Sequence, residues 1–427
     1  MNLTPEQQAL GRRNFLKALA GTPALAALGA AAAMKGPLRG GPVRVGFIGV
    51  GAEGRGALLT NTDPAFADVR ALCDVNPAQL AKADELLAKK GIPPARHYAE
   101  WKDMLQKEDL EAVIIAVPLW MHAEVTAGCL EAGKHVLCEK MMAWDEAGLE
   151  RMMQAAQKNG RILEIGYQRY YNPLYQATYE GVIKPGLLGD VYHIRLVWHR
   201  NGNWRRKGEP PSKDYDPSKW GYPTFEHLLN WRLYWRYSQG LFAELASHQV
   251  SAVNWFLGVV PESVLASGGV YRFKDGREVY DHVYGVFDYP GGRTAVFSSI
   301  ESNAYDHYYE MFMGTKGTLI LRAETEAYLF DEGEGTRATN IEVSAKGSGP
   351  ALEASETKPA QAGAERPAGS SQQVVERASS YRNEISGFCS AIRTGKPLAC
   401  GPERAVHSAK VCIRANQAVE KKTRLAV

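Results

Sequence analysis

The sequence predicts an α/β fold in two parts: an N-terminal doubly wound parallel sheet, and a C-terminal α+β domain with a large, mostly antiparallel open sheet. The first part is indicated by short apolar strands that alternate with helical segments between residues 43 and 167. The second is indicated by several aromatic-rich, strand-like runs in succession after residue 168. A chain of 427 residues is long enough to bury two cores.

In the first part, predicted strands and helices follow one another along the chain. The strands are short apolar runs, and the helices carry apolar residues at helical spacing. This alternation is typical of a parallel sheet with helical crossovers, and we assign residues 43–167 to this domain. The predicted strands are 43–50, 69–75, 112–117, 135–138 and 162–167, and the predicted helices are 77–89, 99–106, 123–132 and 145–158.

The turn after the first strand carries the pattern Gly49-x-Gly51-x-x-Gly54, where a helix should begin. In dinucleotide-binding folds the first glycine permits a tight turn, the second admits the pyrophosphate, and the third packs the helix on the strand. Asp74 ends the next strand about twenty residues later, where its carboxylate can accept hydrogen bonds from the adenosine ribose. The sequence therefore predicts a Rossmann domain with a nicotinamide dinucleotide site. The alternative is an ordinary turn with an incidental aspartate.

After residue 168 the sequence changes to longer strand-like runs. The first two are separated by residues 200–237, a long insertion rich in Trp, Arg, Tyr and Pro, where substrate contacts tend to occur. Residues 344–373 contain mainly small and polar residues and are expected to form a flexible excursion. The predicted strands are 191–198, 263–273, 282–289, 293–301, 308–313 and 318–322, and the predicted helices are 243–257 and two within 376–420.

The N-terminal residues form a separate segment. Arg12 and Arg13 precede a short run of Ala, Leu and Gly that reaches Ala33. This pattern predicts a twin-arginine export signal over residues 1–33 and a linker at 34–42, because the apolar run is too short and interrupted to span a membrane. We expect a periplasmic protein without a membrane span in its mature form. A chance basic helix is the alternative.

Composition and cysteine usage limit the partners. The net charge of +3 gives no reason to expect nucleic acid or an anionic membrane surface. The six cysteines show no paired metal-ligand spacing, so no metal site is predicted. We expect mostly buried free thiols, while a disulfide among Cys389, Cys400 and Cys412 is left open.

Several motifs together relate the chain to a known family. They are the glycine loop, AVPLWMH at 116–122, EAGKHVLCEK at 131–140, GYQR at 166–169, ELASH at 244–248 and AIRTGKP at 391–397. With these motifs the chain resembles the Gfo/Idh/MocA family of nicotinamide-dependent oxidoreductases over almost everything after residue 42. The resemblance implies hydride exchange with a carbon of a sugar, polyol or related hydroxyl. It also implies a substrate and oligomerisation domain at 168–427, whose open sheet makes a homodimer or homotetramer.

The resemblance assigns catalysis to Lys140, His248 and Glu244. A lysine at the end of a parallel strand can stabilise charge that develops on the substrate oxygen. His248 and Glu244 are four residues apart on a predicted helix and share a face, where the histidine can take the hydroxyl proton. Met141 stands where the family usually has proline, and Glu244 where aspartate is commoner. The alternatives are a solvent-facing lysine and a histidine that packs between helices.

The motifs and the 200–237 insertion together give the predicted ligand contacts. Asp74, with no arginine following it, favours NAD over NADP. The flat faces of the tryptophans and the fork-shaped donors of the arginines in and next to the 200–237 insertion suit a pyranose ring, and the alternative is that most of these tryptophans belong to the core or to a dimer interface. The residues are Trp198, Trp204, Trp231, Trp235, Arg205, Arg232 and Arg236. The predicted cofactor contacts are Gly49, Gly51, Ala52, Glu53, Gly54, Asp74, Val117, Pro118, Trp120, His122, Glu139, Lys140 and Gln168, and the predicted substrate contacts are Arg169, Tyr170, Asn230 and Trp231.

Export constrains the chemistry. No ready pool of dinucleotide exists outside the cytoplasm, so we expect NAD to be held tightly. An oxidoreductase could oxidise a ring hydroxyl of a sugar or glycoside, for example at C3, and be reset by reducing another carbonyl compound. The alternative is a redox glycoside hydrolase, which oxidises a ring carbon, eliminates the aglycone, adds water and returns the hydride. A non-catalytic sugar-binding protein is disfavoured because Lys140 and His248 are both present.

Overall fold

The computed structural model describes residues 3–20, 22, 38–332, 340–346, 349–355 and 377–427. It contains one parallel sheet and one mostly antiparallel sheet, which confirms the predicted fold class. Residues 23–33 of the predicted export signal and 356–373 of the predicted excursion lie outside the described residues.

Helix α1, Pro5–Leu19, carries Arg12 and Arg13 of the predicted export signal. Thr4 and Gln7 form a reciprocal capping box, which satisfies backbone donors at the start of the helix. Phe15 and Leu19 are buried against the rest of the chain. Residues 5–19 are therefore a packed helix in this structure.

The first sheet has six parallel strands: β1 Val43–Ile48, β2 Ala67–Cys73, β3 Arg96–Tyr98, β4 Ala112–Ile115, β5 His135–Glu139 and β6 Leu163–Gly166. Their order in the sheet is β3-β2-β1-β4-β5-β6. The strand order reverses between β1 and β4, which creates a crevice at their carboxyl ends. The helices between these strands and after the fifth strand are α2 Pro77–Lys89, α3 Trp101–Lys107, α4 His122–Glu131 and α5 Glu146–Asn159.

The second sheet has eight strands, and every pairing in it is antiparallel except one between its first and fourth strands along the chain. The helices and strands from residue 173 to residue 331 are, in chain order, α6 Pro173–Thr178, β7 Val191–His199, α7 Phe225–Leu229, α8 Ser247–Leu257, β8 Ser263–Gly269, β9 His282–Tyr289, β10 Arg293–Ile300, β11 Tyr308–Gly314, β12 Gly317–Arg322 and β13 Glu326–Asp331. The remaining elements are β14 Asn340–Lys346, β15 Gly349–Ser355, α9 Arg377–Thr394, α10 Pro402–Lys421 and β16 Leu425–Ala426. The sheet order is β13-β12-β11-β7-β10-β9-β8-β16, so the parallel pair is β7 with β10.

Two features differ from the sequence-based expectation. Residues 344–346 and 349–355 were expected within a flexible excursion, but they belong to the paired strands β14 and β15. Helix α9, which the sequence assigns to the domain at 168–427, packs on the first sheet, where Phe388 and Cys389 share an apolar cluster with Val45 of β1. All six cysteines are free and buried, so the disulfide left open by the sequence does not form.

Candidate active site

A cavity of about 960 Å³ lies at the carboxyl ends of the parallel strands. One wall consists of the segments that follow β1, β2, β4 and β5. The opposite wall consists of the end of β7, parts of the 200–237 insertion and residues at and before the start of α8. This is the crevice where doubly wound sheets bind their ligands.

The geometry of the glycines after β1 fits the three roles that the pattern predicts. Gly49 has a φ of 87°, and a Cβ on it would lie 2.5 Å from the carbonyl oxygen of Ala116. A Cβ on Gly54 would collide with the carbonyl oxygen of Gly49, so this glycine lets the helix approach the strand. Gly51 lines the cavity and has no neighbouring atom within 4 Å of its Cβ position, which leaves room for a phosphate on the backbone. The loop therefore fits a dinucleotide.

Replacing Gly54 by alanine is expected to lower the affinity for NAD by at least about tenfold, because the new Cβ would push the helix away from Gly49. The NAD retained after desalting and the Kd for NAD measure this effect. Gly56→Ala is the matched control, since its Cβ position has no atom within 4 Å. Equal NAD binding by the two variants would contradict the close-packing role of Gly54.

Asp74 lines the cavity after β2, as the sequence predicts. Its carboxylate accepts hydrogen bonds from the backbone N–H of Val50 at 2.9 Å and of Asn76 at 2.8 Å. Burial raises the pKa of Asp74 to about 6, against the opposing effect of these hydrogen bonds. The guanidinium of Arg55 is also nearby, but it donates to the Val50 carbonyl and the Gln79 side chain. The two backbone hydrogen bonds fix the carboxylate at the edge of the crevice.

Lys140 and Glu244 meet across the cavity. The Lys140 Nζ donates to the Glu244 carbonyl oxygen at 3.1 Å and lies 3.9 Å from the Glu244 Oε2. The same Oε2 accepts a hydrogen bond from the Arg232 Nε at 3.0 Å. Burial opposes ionisation of Glu244, but the charges of Arg232 and Lys140 outweigh it and lower the pKa of Glu244. An ionised glutamate therefore holds the lysine ammonium at the cavity wall.

His248 lines the cavity one helical turn beyond Glu244. Its ring lies 5.8 Å from the Trp198 ring and 6.0 Å from the Tyr167 ring, measured between centroids. The side chain is 6% exposed, so the aromatic neighbours restrict it to the cavity face. The sequence-based placement of Lys140, Glu244 and His248 in one site agrees with this geometry.

Glu139 and His122 lie next to this group. Burial, with a smaller contribution from the charge of Glu53, raises the pKa of the Glu139 carboxyl. The ring nitrogens of His122 lie 2.9 Å from the Met141 carbonyl and 3.0 Å from the Val117 carbonyl. His122 lines the cavity, and burial lowers its pKa, so the neutral ring donates to only one of these two carbonyls. The other predicted cofactor contacts that line the cavity are Ala52, Glu53, Val117, Pro118 and Trp120.

Three predicted ligand contacts after β6 are corrected by the structure. Gln168, Arg169 and Tyr170 are buried and do not line the cavity. The guanidinium of Arg169 bonds Glu310 at 2.6 Å and Glu324 at 3.0 Å, and Gln168 lies 3.5 Å from the latter. These carboxylates draw both side chains towards the second sheet. Tyr170 instead bonds Ser251 and stacks on Trp255 at 4.8 Å.

Asn230 is a fourth predicted ligand contact that the structure places elsewhere. It is 3% exposed and does not line the cavity. Its side-chain amide bonds the backbone N–H and carbonyl of Arg206, at 2.6 and 3.1 Å. Asn230 therefore positions a neighbouring segment of the insertion. Trp231 does line the cavity, as predicted.

The insertion at 200–237, here called the strap, crosses the crevice. In the first half of the strap, the Tyr215 hydroxyl donates to the carbonyl of Val75, next to Asp74. Just past its middle, the Trp120 indole N–H donates to the Tyr222 hydroxyl at 2.9 Å. Near its C-terminal end, Arg232 bonds Glu244. The strap is therefore attached to both walls of the cavity.

Several cavity residues were not singled out as ligand contacts from the sequence. Arg206 belongs to the strap, His307 directly precedes β11, and Tyr308 is the first residue of β11. The Tyr308 ring stacks on Trp198 at 4.5 Å. No local pattern in the sequence connects Trp198 with Tyr308, which is more than a hundred residues away.

Comparisons with known proteins identify the family of this chain. A family model described as an oxidoreductase family with an NAD-binding Rossmann fold matches residues 43–167, and the corresponding C-terminal α/β domain matches residues 182–427. The chain therefore belongs to the Gfo/Idh/MocA family of NAD-binding oxidoreductases.

Curated relatives match over parts of their length. An inositol 2-dehydrogenase of Salmonella paratyphi B is 34% identical over 187 residues, which cover 43% of this chain and 53% of the relative. A glycosyl hydrolase family 109 protein of Bacteroides thetaiotaomicron is 28% identical over 170 residues, covering 37% and 36%. The chain spans only 41% and 62% of two further curated relatives.

A solved structure shows the same fold. Aldose-aldose oxidoreductase from Caulobacter crescentus, complexed with glycerol, superposes with a TM-score of 0.65 at 20% identity over 90% of this chain and 100% of that chain. Within the described part of this chain, no cluster of three or more His, Cys, Asp or Glu side chains could hold a metal ion. In the same residues, no helix is long and apolar enough to cross a membrane.

Proposed function

We propose that this protein is a NAD-dependent oxidoreductase that interconverts a hydroxyl and a carbonyl carbon of a sugar or glycoside, and that it retains NAD between turnovers. The observation that carries the proposal is the group of Lys140, Glu244 and His248 in a cavity that the strap covers. The names of the inositol dehydrogenase and the aldose-aldose oxidoreductase support a polyol or sugar substrate.

The chain supplies the charge and proton chemistry of this reaction. When bound, NAD supplies a hydride acceptor or donor. The Lys140 ammonium stabilises negative charge on the substrate oxygen, and Glu244 keeps that ammonium in place. His248 takes the hydroxyl proton during oxidation and returns it during reduction.

The test starts from protein purified without added cofactor. Any dinucleotide is released and identified, and the holoenzyme is incubated with free sugars and aryl glycosides. Absorbance of reduced nicotinamide that rises once and stops supports a dehydrogenase that waits for a second carbonyl compound. Protein without bound dinucleotide, and without reduction of any substrate, would contradict the proposal.

The second candidate is a NAD-dependent redox glycoside hydrolase. The match to the family 109 glycosyl hydrolase favours it over part of the chain. Such an enzyme would return its hydride in every cycle and consume no net cofactor. In the same assay, steady aglycone release without accumulation of reduced cofactor would identify this activity in place of the first.

The proposed retention of NAD depends on the contacts that attach the strap to the cavity walls. Tyr215→Phe is expected to speed NAD release by about three- to tenfold, because it removes the hydrogen bond to the Val75 carbonyl. The rate is measured by trapping released NAD with a consuming enzyme. Tyr305→Phe is the control, since this tyrosine is 73% exposed and lies outside the cavity. If the two variants release NAD at the same rate, the strap does not retain it.

We also propose export to the periplasm through the twin-arginine pathway, supported by Arg12 and Arg13. In the folded chain Arg12 donates to Glu326 at 2.8 Å, so a receptor for the signal must compete with this ion pair. Fractionation of cells that express the full chain tests the location. Retention in the cytoplasm would contradict the proposal.

A homodimer or homotetramer through the second sheet is proposed as the assembly. A cross-strand row of Arg195, Val296, Val286 and Leu265 lies on one face of the sheet. Leu265 is 40% exposed, and Tyr284 of the neighbouring row is 47% exposed. An open apolar face of this kind favours association. Light scattering after gel filtration would show a monomer if the proposal is wrong.

A further inference from the structure

Arg206 is a strap residue that the reaction proposed above does not use. It lines the cavity, and within the described ranges its guanidinium makes no hydrogen bond or ion pair. Its backbone is held on both sides by the buried amide of Asn230, which also donates to Glu226 at 2.9 Å. A buried side chain therefore fixes the position of this arginine at the cavity wall.

The neighbouring arginines of the strap have other contacts. Arg232 is paired with Glu244 and stacks over Trp231 at 4.4 Å. Arg205 is paired with Asp275 and Glu226, away from the cavity. Arg206 therefore differs from both in facing the cavity without a carboxylate partner among the described residues.

Arg206 also lies in an unfavourable electrostatic environment. Although Arg206 is an exposed residue, partial desolvation by the cavity walls and the positive charge of Arg232 lower its pKa, against smaller opposing effects of Glu244 and Glu53. A ligand that brings negative charge would relieve this repulsion. A guanidinium also offers paired N–H donors that match the oxygens of a phosphate or carboxylate.

We propose that Arg206 binds an anionic oxygen group, a phosphate or a carboxylate, of a ligand in the cavity. The inference rests on the proposed function in taking these ligands to be a dinucleotide and a sugar. The group comes either from the pyrophosphate of NAD or from an acidic substituent of the sugar. Asn230 is the positioning residue for this contact.

The experiment compares Arg206→Ala, Arg206→Lys and Lys207→Ala as full-length proteins. Lys207 is exposed and does not line the cavity, and its replacement by alanine removes the same charge. One arm measures the rate of NAD release. The other measures binding of D-glucuronate and D-glucose to NAD-loaded protein by tryptophan fluorescence, which requires no turnover and so can succeed even if the proposed function fails.

Either of two results supports the proposal. Arg206→Ala speeds NAD release about tenfold or more if the pyrophosphate is the ligand, or weakens glucuronate binding by about that factor, without affecting glucose, if the sugar is acidic. Arg206→Lys is expected to recover part of the loss, because it restores the charge without the paired donors. The proposal is overturned if Arg206→Ala matches Lys207→Ala in both arms.

Discussion

Replacing Lys140 by alanine is expected to lower kcat by about a hundred- to a thousandfold while bound NAD and the fold are preserved. The variant removes the ammonium that lies 3.1 Å from the Glu244 carbonyl and leaves the glycine loop unchanged. Single-turnover reduction of bound NAD, followed by its absorbance, measures the loss. Because the removed charge acts on the substrate oxygen as it develops negative charge, the effect should fall mainly on kcat.

Lys102→Ala is the matched control for this prediction. Lys102 also lines the cavity, but it lies on α3, beside the part of the cavity that contains Glu100 and Trp101. It should leave kcat unchanged. A Lys140→Ala variant that turns over at the wild-type rate would remove the basis for assigning catalysis to this site.

Replacing Arg169 by methionine is expected to destabilise the protein by about 3–5 kcal/mol. Arg169 is 2% exposed and is paired with Glu310 and Glu324, which are themselves buried. The variant leaves these carboxylates without their counter-charge in a region of low dielectric. Urea unfolding followed by circular dichroism measures the change.

The control for this stability prediction is Lys184→Ala, which removes an exposed pair with Glu180 and should leave the unfolding midpoint unchanged. The sequence-based alternative for Arg169 was a substrate contact. Under that alternative, Arg169→Met would raise KM and leave the midpoint near the wild-type value. A normal midpoint with a raised KM would therefore contradict the buried position described here.

Much of the fold could be predicted because its strands are strongly apolar. The run Ala112–Ile115 forms β4, which is buried at every position. Strand β3, Arg96–Tyr98, was missed because it is short, polar and at the sheet edge. The packing of α9 on the first sheet could not be predicted either, since its partners in β1 are more than three hundred residues earlier in the sequence.

The site was predictable where function is encoded in a short motif. Gly49 to Gly54, Lys140 and the pair Glu244 and His248 each lie within such a motif and line the cavity or shape its loop. The motif GYQR did not reveal the direction of its side chains. That direction depends on Glu310 in β11 and on Glu324 before β13, whose charges attract Arg169. Long-range charge pairing of this kind leaves no local pattern in the sequence.

The attachments of the strap have a consequence for how active molecules are made. Because Tyr215 holds the strap near Asp74 while Arg232 holds it at Glu244, the proposed retention of NAD leads us to expect that NAD enters the crevice most readily before these contacts form. On that proposal, we expect the NAD concentration in the compartment where the chain folds to set the fraction of active enzyme. Cells with little NAD at that time would produce a well-folded population with few active molecules, and NAD added later would restore activity only at the rate at which the strap opens.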